Sequence, residues 1–204
     1  WFQYIIAKEC KGECFLVVYA DDFIAGFQYP WEAERFYEQL RSRMAKFGLE
    51  LEENKSRIVE SGRYLASLKA KRGESTRLGT FDFLGFTFYC GRTTKGNPWI
   101  MPKTSSKKFR QKVKEIKIWL YNNKEQKLGK LMYMLNVKLV GHYRYYGISF
   151  NSRMISNYKQ QVRELLYKVL NRRSEKKSYT REGFIEMMKY YKLVNPKIYY
   201  SLFC

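Results

Sequence analysis

Two short apolar runs near the start of the chain are separated by the sequence Tyr19-Ala20-Asp21-Asp22. The runs, Phe15–Val18 and Phe23–Phe27, are rich in β-branched and aromatic residues, which predicts two β-strands joined by a tight turn. Two adjacent carboxylates repel each other and lose solvation if they are buried. The fold must therefore leave this turn open to water or supply it with a cation.

The acidic pair has two interpretations. Asp is a common turn residue, so Asp21 and Asp22 could belong to a solvated hairpin turn and nothing more. Alternatively, a divalent cation removes their repulsion, and oxygen ligands are those that Mg²⁺ prefers. Two-metal phosphoryl transfer needs at least one more carboxylate to bridge the ions. The candidates are Glu50, Glu52, Glu53 and Asp82, and none occupies a strand end facing the hairpin, so we expect the third ligand to be missing from this chain.

Charge is distributed unevenly along the 204 residues. Of the net charge of +20, residues 1–100 contribute +2 and residues 101–204 contribute +18. A neutral half beside a strongly basic half is typical of a phosphate-binding surface, although a basic solubilising surface is the alternative. The charge pattern therefore favours nucleic acid as a partner.

The remaining composition excludes several classes of protein. No apolar run approaches the roughly 20 residues of a membrane span, so we expect no membrane partner. Four cysteines in a chain of this length favour free thiols in a reducing cytoplasm over a disulfide framework. The lone histidine, His142, has no metal or triad partner in the sequence, and we interpret it as a packing residue. The start of the chain reads as the middle of a helix, so we expect a fragment of a longer protein.

Hydrophobic spacing in the first half predicts an α/β unit. Apolar residues recur at helical intervals over 32–46, after Pro30 and before Gly48. We expect short strands near 49–51 and 58–59, an exposed loop over 67–80, and an aromatic strand over 81–90. A polar turn over 91–97 and the apolar residues 99–101 complete a hairpin over 83–101 with this strand. Gly85 interrupts the aromatic strand, which indicates a bulge or a close backbone approach.

The second half predicts a helical bundle. Ser105 or Ser106 can cap a helix that runs to about Tyr121, further helices are expected over 127–146 and 152–171, and Ser178 or Thr180 can cap a last helix through Tyr191. Short connections favour antiparallel packing. The fold class is therefore α+β, with one domain over 1–102 and a basic helical domain over 103–204.

Several residues are candidates for chemistry or binding. Lys55, in a turn after the first long helix, could act as general acid toward a leaving pyrophosphate, or be an ordinary turn lysine. The aromatic strand could contact nucleotides, although a core strand is the better interpretation for its phenylalanines. Aromatic and basic residues alternate over 142–147 and 172–179, and such mixtures can stack on bases and contact phosphates. For the tyrosines of 143–146, packing in the helical core is the better interpretation, and for 172–177 the alternative is a solvated basic loop. The basic candidates are Lys107, Lys108, Arg110, Lys112, Lys114, Arg172, Arg173, Lys176 and Lys177.

The order of these motifs resembles a known family. Tyr19-Ala20-Asp21-Asp22, then Asn54-Lys55-Ser56, then Phe83-Leu84-Gly85-Phe86 is similar to the palm motifs of reverse transcriptases. The segments Leu135–Ile148 and Leu170–Phe184, with Pro196–Tyr199, resemble the thumb, or maturase X domain, of bacterial group II intron-encoded proteins. His142 stands where that family would have a tryptophan after the thumb glycine.

The resemblance implies a partial palm followed by an all-α thumb. It implies Asp21 as a catalytic Mg²⁺ ligand with Asp22 beside it, Tyr19 next to the nucleic acid, and a primer-grip role around Gly85. It also implies RNA-directed DNA synthesis by two-metal chemistry and intron-splicing maturase activity, in a mobile genetic element of the bacterial cytoplasm. The implied partners are group II intron RNA, an RNA template with its DNA primer, and a dNTP.

One departure from the family is large. The fingers and the first palm aspartate lie upstream of the acidic hairpin in the family, whereas here only eighteen residues precede the motif and none of them is Asp. The chain therefore resembles the C-terminal half of such a protein, and we expect it to lack polymerase activity unless a fingers and palm portion of the parent chain is supplied. The alternative is an RNA-binding maturase module without polymerase activity of its own. Retron and diversity-generating lineages fit the thumb segments less well.

Overall fold

The computed structural model describes residues 1–52, 56–74, 78–172 and 179–202. Its contacts divide the chain into two compact units. The first comprises Trp1–Phe83 with Arg92–Trp99, and the second comprises Leu84–Gly91 with Ile100–Cys204. Helices and small antiparallel sheets are both present, which confirms the α+β fold class. The division into functional domains near residue 102 remains a prediction.

The first unit is built around the predicted hairpin and helix. After a π-helical turn at Phe2–Ile6 and a short helix α1 (Ala7–Glu9), strands β1 (Cys14–Tyr19) and β2 (Asp22–Phe27) pair antiparallel and helix α2 (Pro30–Lys46) follows. Alternate hairpin side chains pack with α2, because successive residues of a strand point to opposite faces. This core consists of Phe2, Ile6, Phe36 and Leu40, with Cys14, Leu16, Ala25 and Phe27 partly buried against it.

A buried carboxylate fixes the start of the hairpin. Glu32, in the first turn of α2, is only 3% exposed. Its Oε1 accepts hydrogen bonds from the backbone N–H groups of Lys11 (2.6 Å) and Gly12 (3.2 Å). These bonds tie the turn before β1 to α2, so the helix sets where the hairpin begins.

Three local predictions for the first unit were wrong. No strand forms near 49–51 or 58–59. Instead, Gly48 has φ +68°, and Leu49 donates its N–H to the carbonyl of Met44, which closes the end of α2. The first residues of the predicted loop over 67–80 instead belong to helix α3 (Arg63–Lys71). The apolar side of this helix includes the buried residue Ala66. The lysines that suggested a loop lie in the last turn of this helix, where cations are favourable.

The second sheet contains strands β3 (Phe81–Phe83), β4 (Phe86–Arg92) and β5 (Pro98–Thr104), in that order. The predicted bulge at Gly85 is wrong: Leu84 (φ 50°) and Gly85 (φ 79°) form a two-residue turn between β3 and β4. Positive φ at both central residues is the signature of a type I′ hairpin turn. The expected close backbone approach at Gly85 is confirmed, because a Cβ there would lie 3.2 Å from the Tyr146 hydroxyl oxygen.

The second unit contains the four predicted helices, α4 (Ser106–Asn122), α5 (Leu128–Tyr146), α6 (Ser152–Leu170) and α7 (Arg181–Tyr190). Ser105 caps α4 by accepting from the Lys108 N–H, and Thr180 caps α7 by accepting from the Gly183 N–H. The helices enclose a core of leucines and aromatic residues, several of them fully buried: Leu120, Leu131, Leu135, Leu139, Tyr143, Val162 and Leu166.

Asparagine side chains form hydrogen bonds to the segments that connect the helices of this bundle. Asn151 is fully buried, accepts from the Thr104 N–H (2.8 Å), and donates to Thr104 Oγ1 and the Tyr146 carbonyl. Asn136 and Asn171 each use both amide atoms on backbone groups of segments flanking α7. An amide can donate and accept at once, so each side chain replaces a pair of missing backbone bonds. Within the described ranges, no helix is long and apolar enough to cross a membrane.

Candidate metal and nucleic-acid sites

The acidic turn lies at the tip of the first hairpin. Tyr19 pairs with Asp22 across the two strands, and Ala20 and Asp21 form the turn between them. Both aspartates are exposed. Ala20 has φ 53°, a left-handed conformation that costs a non-glycine residue about 1–3 kcal/mol. The chain therefore holds the carboxylates on a strained, solvent-facing turn.

The face of the hairpin that carries Tyr19 is exposed. Directly paired residues share one face of a sheet, so Tyr19 and Asp22 lie beside Val17 and Ile24, and then Phe15 and Gly26. Phe15 is 57% exposed, Val17 47% and Tyr19 62%. The opposite face carries the residues that pack with α2, so the register separates a packed face from an open one.

The two aspartates fit Mg²⁺ in ligand type. Carboxylate oxygens are hard donors, and an exposed turn allows an ion to keep its waters. Across the described residues, no group of three or more His, Cys, Asp or Glu side chains could hold a metal ion. Asp21 and Asp22 can therefore supply part of a coordination sphere, and the remaining ligands must come from other groups.

The turn at Leu84 and Gly85 is held by other residues of the second unit. Tyr145, near the end of α5, donates its hydroxyl to the Leu84 carbonyl (2.9 Å), and the N–H of Ser105 donates to the Gly85 carbonyl (2.9 Å). Lys108 lies beside the turn, with its Cγ 3.5 Å from the position a Cβ on Gly85 would take. Backbone N–H groups and lysine side chains commonly contact phosphates, so a turn of fixed conformation beside Lys108 is suited to contacts with a nucleic-acid strand.

Helix α4 carries most of the predicted basic contacts. Lys107, Lys108, Arg110 and Lys114 are exposed. Lys112 is partly buried and forms an ion pair with Glu115 (2.8 Å), which lowers the pKa of that carboxyl. The four exposed side chains can meet phosphates, whereas Lys112 is partly neutralised within its own helix.

A second group of cations lies on aromatic rings around the C-terminal end of α4. Lys138 sits 5.0 Å from the ring centre of Trp119, and the Arg172 guanidinium sits 5.7 Å from that of Tyr121 and donates to its hydroxyl. The sequence named Arg172 as a candidate but not Trp119 or Lys138, which are far apart in the chain. Lys55, Arg173, Lys176 and Lys177 lie outside the described residues, so their roles remain predictions.

His142 is confirmed as a packing residue. It is 9% exposed and its ring stacks on Tyr158 at a centroid distance of 3.7 Å and an angle of 16°. Burial, with a smaller contribution from the charge of Lys112, lowers the pKa of His142 to about 4. Among the residues that the structure describes, its Nε2 has no hydrogen-bond partner. The histidine is therefore neutral at pH 7 and belongs to the core.

Residues 2–88 match the model of the reverse transcriptase (RNA-dependent DNA polymerase) family, and residues 106–191 match the group II intron maturase-specific domain. The first match contains the acidic hairpin and the Leu84–Gly85 turn, and the second contains helices α4 to α7 in full. No curated protein and no solved structure gives a significant match. Both domains act on nucleic acids, and both occur here in the order that the sequence motifs predict. The chain belongs to the group II intron-encoded reverse transcriptases, the RNA-directed DNA polymerases that also serve as splicing maturases.

Proposed function

We propose that this chain binds group II intron RNA and a primer–template duplex through its basic helices, and that Asp21 and Asp22 are ligands for catalytic Mg²⁺. The observation that carries the proposal is the hairpin, which presents two adjacent carboxylates on a strained, exposed turn. Strain of this kind persists where the surrounding structure determines the backbone, and it is concentrated at functional sites.

In phosphoryl transfer, bound divalent ions polarise the phosphate and stabilise the charge on the attacking and leaving oxygens. Asp21 and Asp22 would hold such ions at the hairpin tip. The described residues bring together no third acidic ligand. We propose that the rest of the coordination comes from a carboxylate of a fingers or palm segment of the parent protein and from the phosphates of the dNTP.

The primer–template duplex is proposed to lie along the second unit. Lys107, Lys108, Arg110 and Lys114 are exposed on α4, and each phosphate that they neutralise releases counterions. Lys108 belongs to this basic surface and also lies beside the Leu84–Gly85 turn, so the turn is next to the surface. This juxtaposition supports the turn as the place where the backbone meets the primer strand.

Binding of Mn²⁺, a paramagnetic substitute for Mg²⁺, tests the metal site. In NMR spectra of the 204-residue chain, we expect Mn²⁺ to broaden the amide signals of Ala20–Phe23 first. The D21N/D22N variant should lose this selectivity, because amides are weaker ligands than carboxylates for hard cations. Broadening that is centred elsewhere, or that survives in the variant, would overturn the assignment.

A second candidate function is RNA binding without polymerase activity. The net charge of +18 in the second half and the incomplete ligand set favour it. We expect the purified 204-residue chain to show no nucleotide incorporation on an RNA template with a DNA primer, while it still binds intron RNA. Incorporation by this chain alone would contradict the proposal that further ligands are required.

A further inference from the structure

Both carbonyls of the Leu84–Gly85 turn are held by residues distant in sequence. The Tyr145 hydroxyl donates a hydrogen bond to the Leu84 carbonyl, and the Ser105 N–H donates one to the Gly85 carbonyl. The Ser105 bond comes from the backbone next to β5 and survives almost any substitution. The Tyr145 bond depends on one hydroxyl group, so it is the contact that a mutation can remove without changing the backbone.

The ring of Tyr145 is placed for this bond. It stacks on Phe86, the first residue of β4, at a centroid distance of 6.0 Å and an angle of 11°, and it lies edge-on to Tyr146 at 4.7 Å. The residue is nevertheless 54% exposed. Packing against Phe86 fixes the ring, so the hydroxyl reaches the Leu84 carbonyl without needing burial.

The turn needs such support because its first residue is strained. Leu84 has φ 50°, whereas type I′ turns favour Asn, Asp or Gly at that position. A branched side chain in the left-handed region persists only where neighbouring contacts determine the backbone. The Tyr145 hydroxyl supplies one of those contacts at the strained residue itself.

We infer that Tyr145 is a positioning residue: its hydroxyl holds the Leu84–Gly85 turn in the conformation that binds the primer–template duplex. The inference rests on the proposed role of the turn as the primer contact. Tyr145 itself acts through the backbone of Leu84, so its effect is specific to ligands that touch the turn.

The test compares Y145F with Y133F in the 204-residue chain. Tyr133 is also on α5 and is 72% exposed, so Y133F is a matched loss of one hydroxyl. A positioning hydrogen bond corresponds to about a threefold to tenfold change in affinity. By fluorescence anisotropy, Y145F should weaken binding of an RNA–DNA primer–template by this factor and leave single-stranded RNA binding unchanged. Because no charge is lost, the slope of log Kd against log salt should also be unchanged.

Gly85→Ala tests the proposed role of the turn independently of Tyr145. A Cβ at φ 79° is strained and would lie 3.2 Å from the Tyr146 hydroxyl, so G85A disturbs the turn by another route. Thermal melting checks that each variant is folded. If G85A and Y145F both weaken duplex binding and their effects are not additive, the inference holds. If only G85A weakens it, or Y145F weakens duplex and single-strand binding equally, Tyr145 is not a positioning residue. If neither variant weakens it, the turn does not contact the primer.

Discussion

The buried histidine gives the chain a pH-dependent stability that can be calculated. The unfolded chain protonates His142 near its ordinary pKa of 6.5, whereas the folded chain does so only near 4. Between these values the unfolded state binds more protons, so stability falls as the pH falls through this window and levels off below it. The loss from pH 7 to pH 5 is about 2 kcal/mol, and the full shift corresponds to about 3 kcal/mol.

His142→Phe isolates this contribution. Phenylalanine keeps an aromatic ring against Tyr158 and removes the titrating nitrogens, including the unpartnered Nε2. The groups around the site are the rings of Tyr143, Tyr146 and Tyr158 and the ammonium of Lys112, and all of them remain in the variant. Any pH dependence that carboxylates contribute is therefore common to both proteins.

Urea unfolding at pH 7 and pH 5 provides the assay. We expect the wild-type chain to lose about 2 kcal/mol more than H142F between the two pH values. The wild-type loss should level off below about pH 4. If the two proteins lose the same free energy, His142 is protonated in the folded state or exposed to water, and the assignment of a buried neutral histidine is refuted.

Two further predictions concern the second unit. Asn151→Ala removes the acceptor of the Thr104 N–H and the donor to the Tyr146 carbonyl, which keeps its bond from the Ile148 N–H. We therefore expect a loss of about 2 kcal/mol in urea unfolding, against a change within about 0.5 kcal/mol for the exposed control Asn157→Ala. Ser105→Ala removes the cap of α4 and should cost about 1 kcal/mol, whereas Ser106→Ala, one residue into the helix, should change stability little. Equal effects within either pair would contradict the hydrogen bonds assigned here.

The elements predicted correctly are those whose signals are local. The first hairpin follows from two apolar runs and a two-residue turn. Helices α4 and α7 follow from helical spacing together with caps at Ser105 and Thr180. In each case the residues that determine the structure lie within a few positions of one another, so the local sequence is sufficient to predict the element.

The errors arose where a longer-range or competing interaction decides the structure. The apolar residues Leu49 and Leu51 predicted a strand, but the N–H of Leu49 donates a hydrogen bond to Met44 at the end of α2. Asp21, Asp22 and Gly85 were selected as candidate site residues from their neighbours in sequence, and their roles remain predictions. The hydrogen bond from Tyr145 to Leu84 was not predicted, because the two residues are 61 positions apart and only the fold brings them together.

The salt dependence of RNA binding tests the central claim most directly. We predict that the wild-type chain binds intron RNA with a steep slope of log Kd against log salt. Alanine at Lys107, Lys108, Arg110 and Lys114 should make the slope shallower by about 3, at about 0.7 to 0.9 for each lost phosphate contact. Alanine at the exposed lysines Lys8, Lys11, Lys46 and Lys71 of the first unit, or D21N/D22N, should leave it unchanged. Binding that is insensitive to salt, or equally weakened by both sets of lysine substitutions, would contradict an RNA-binding surface on α4.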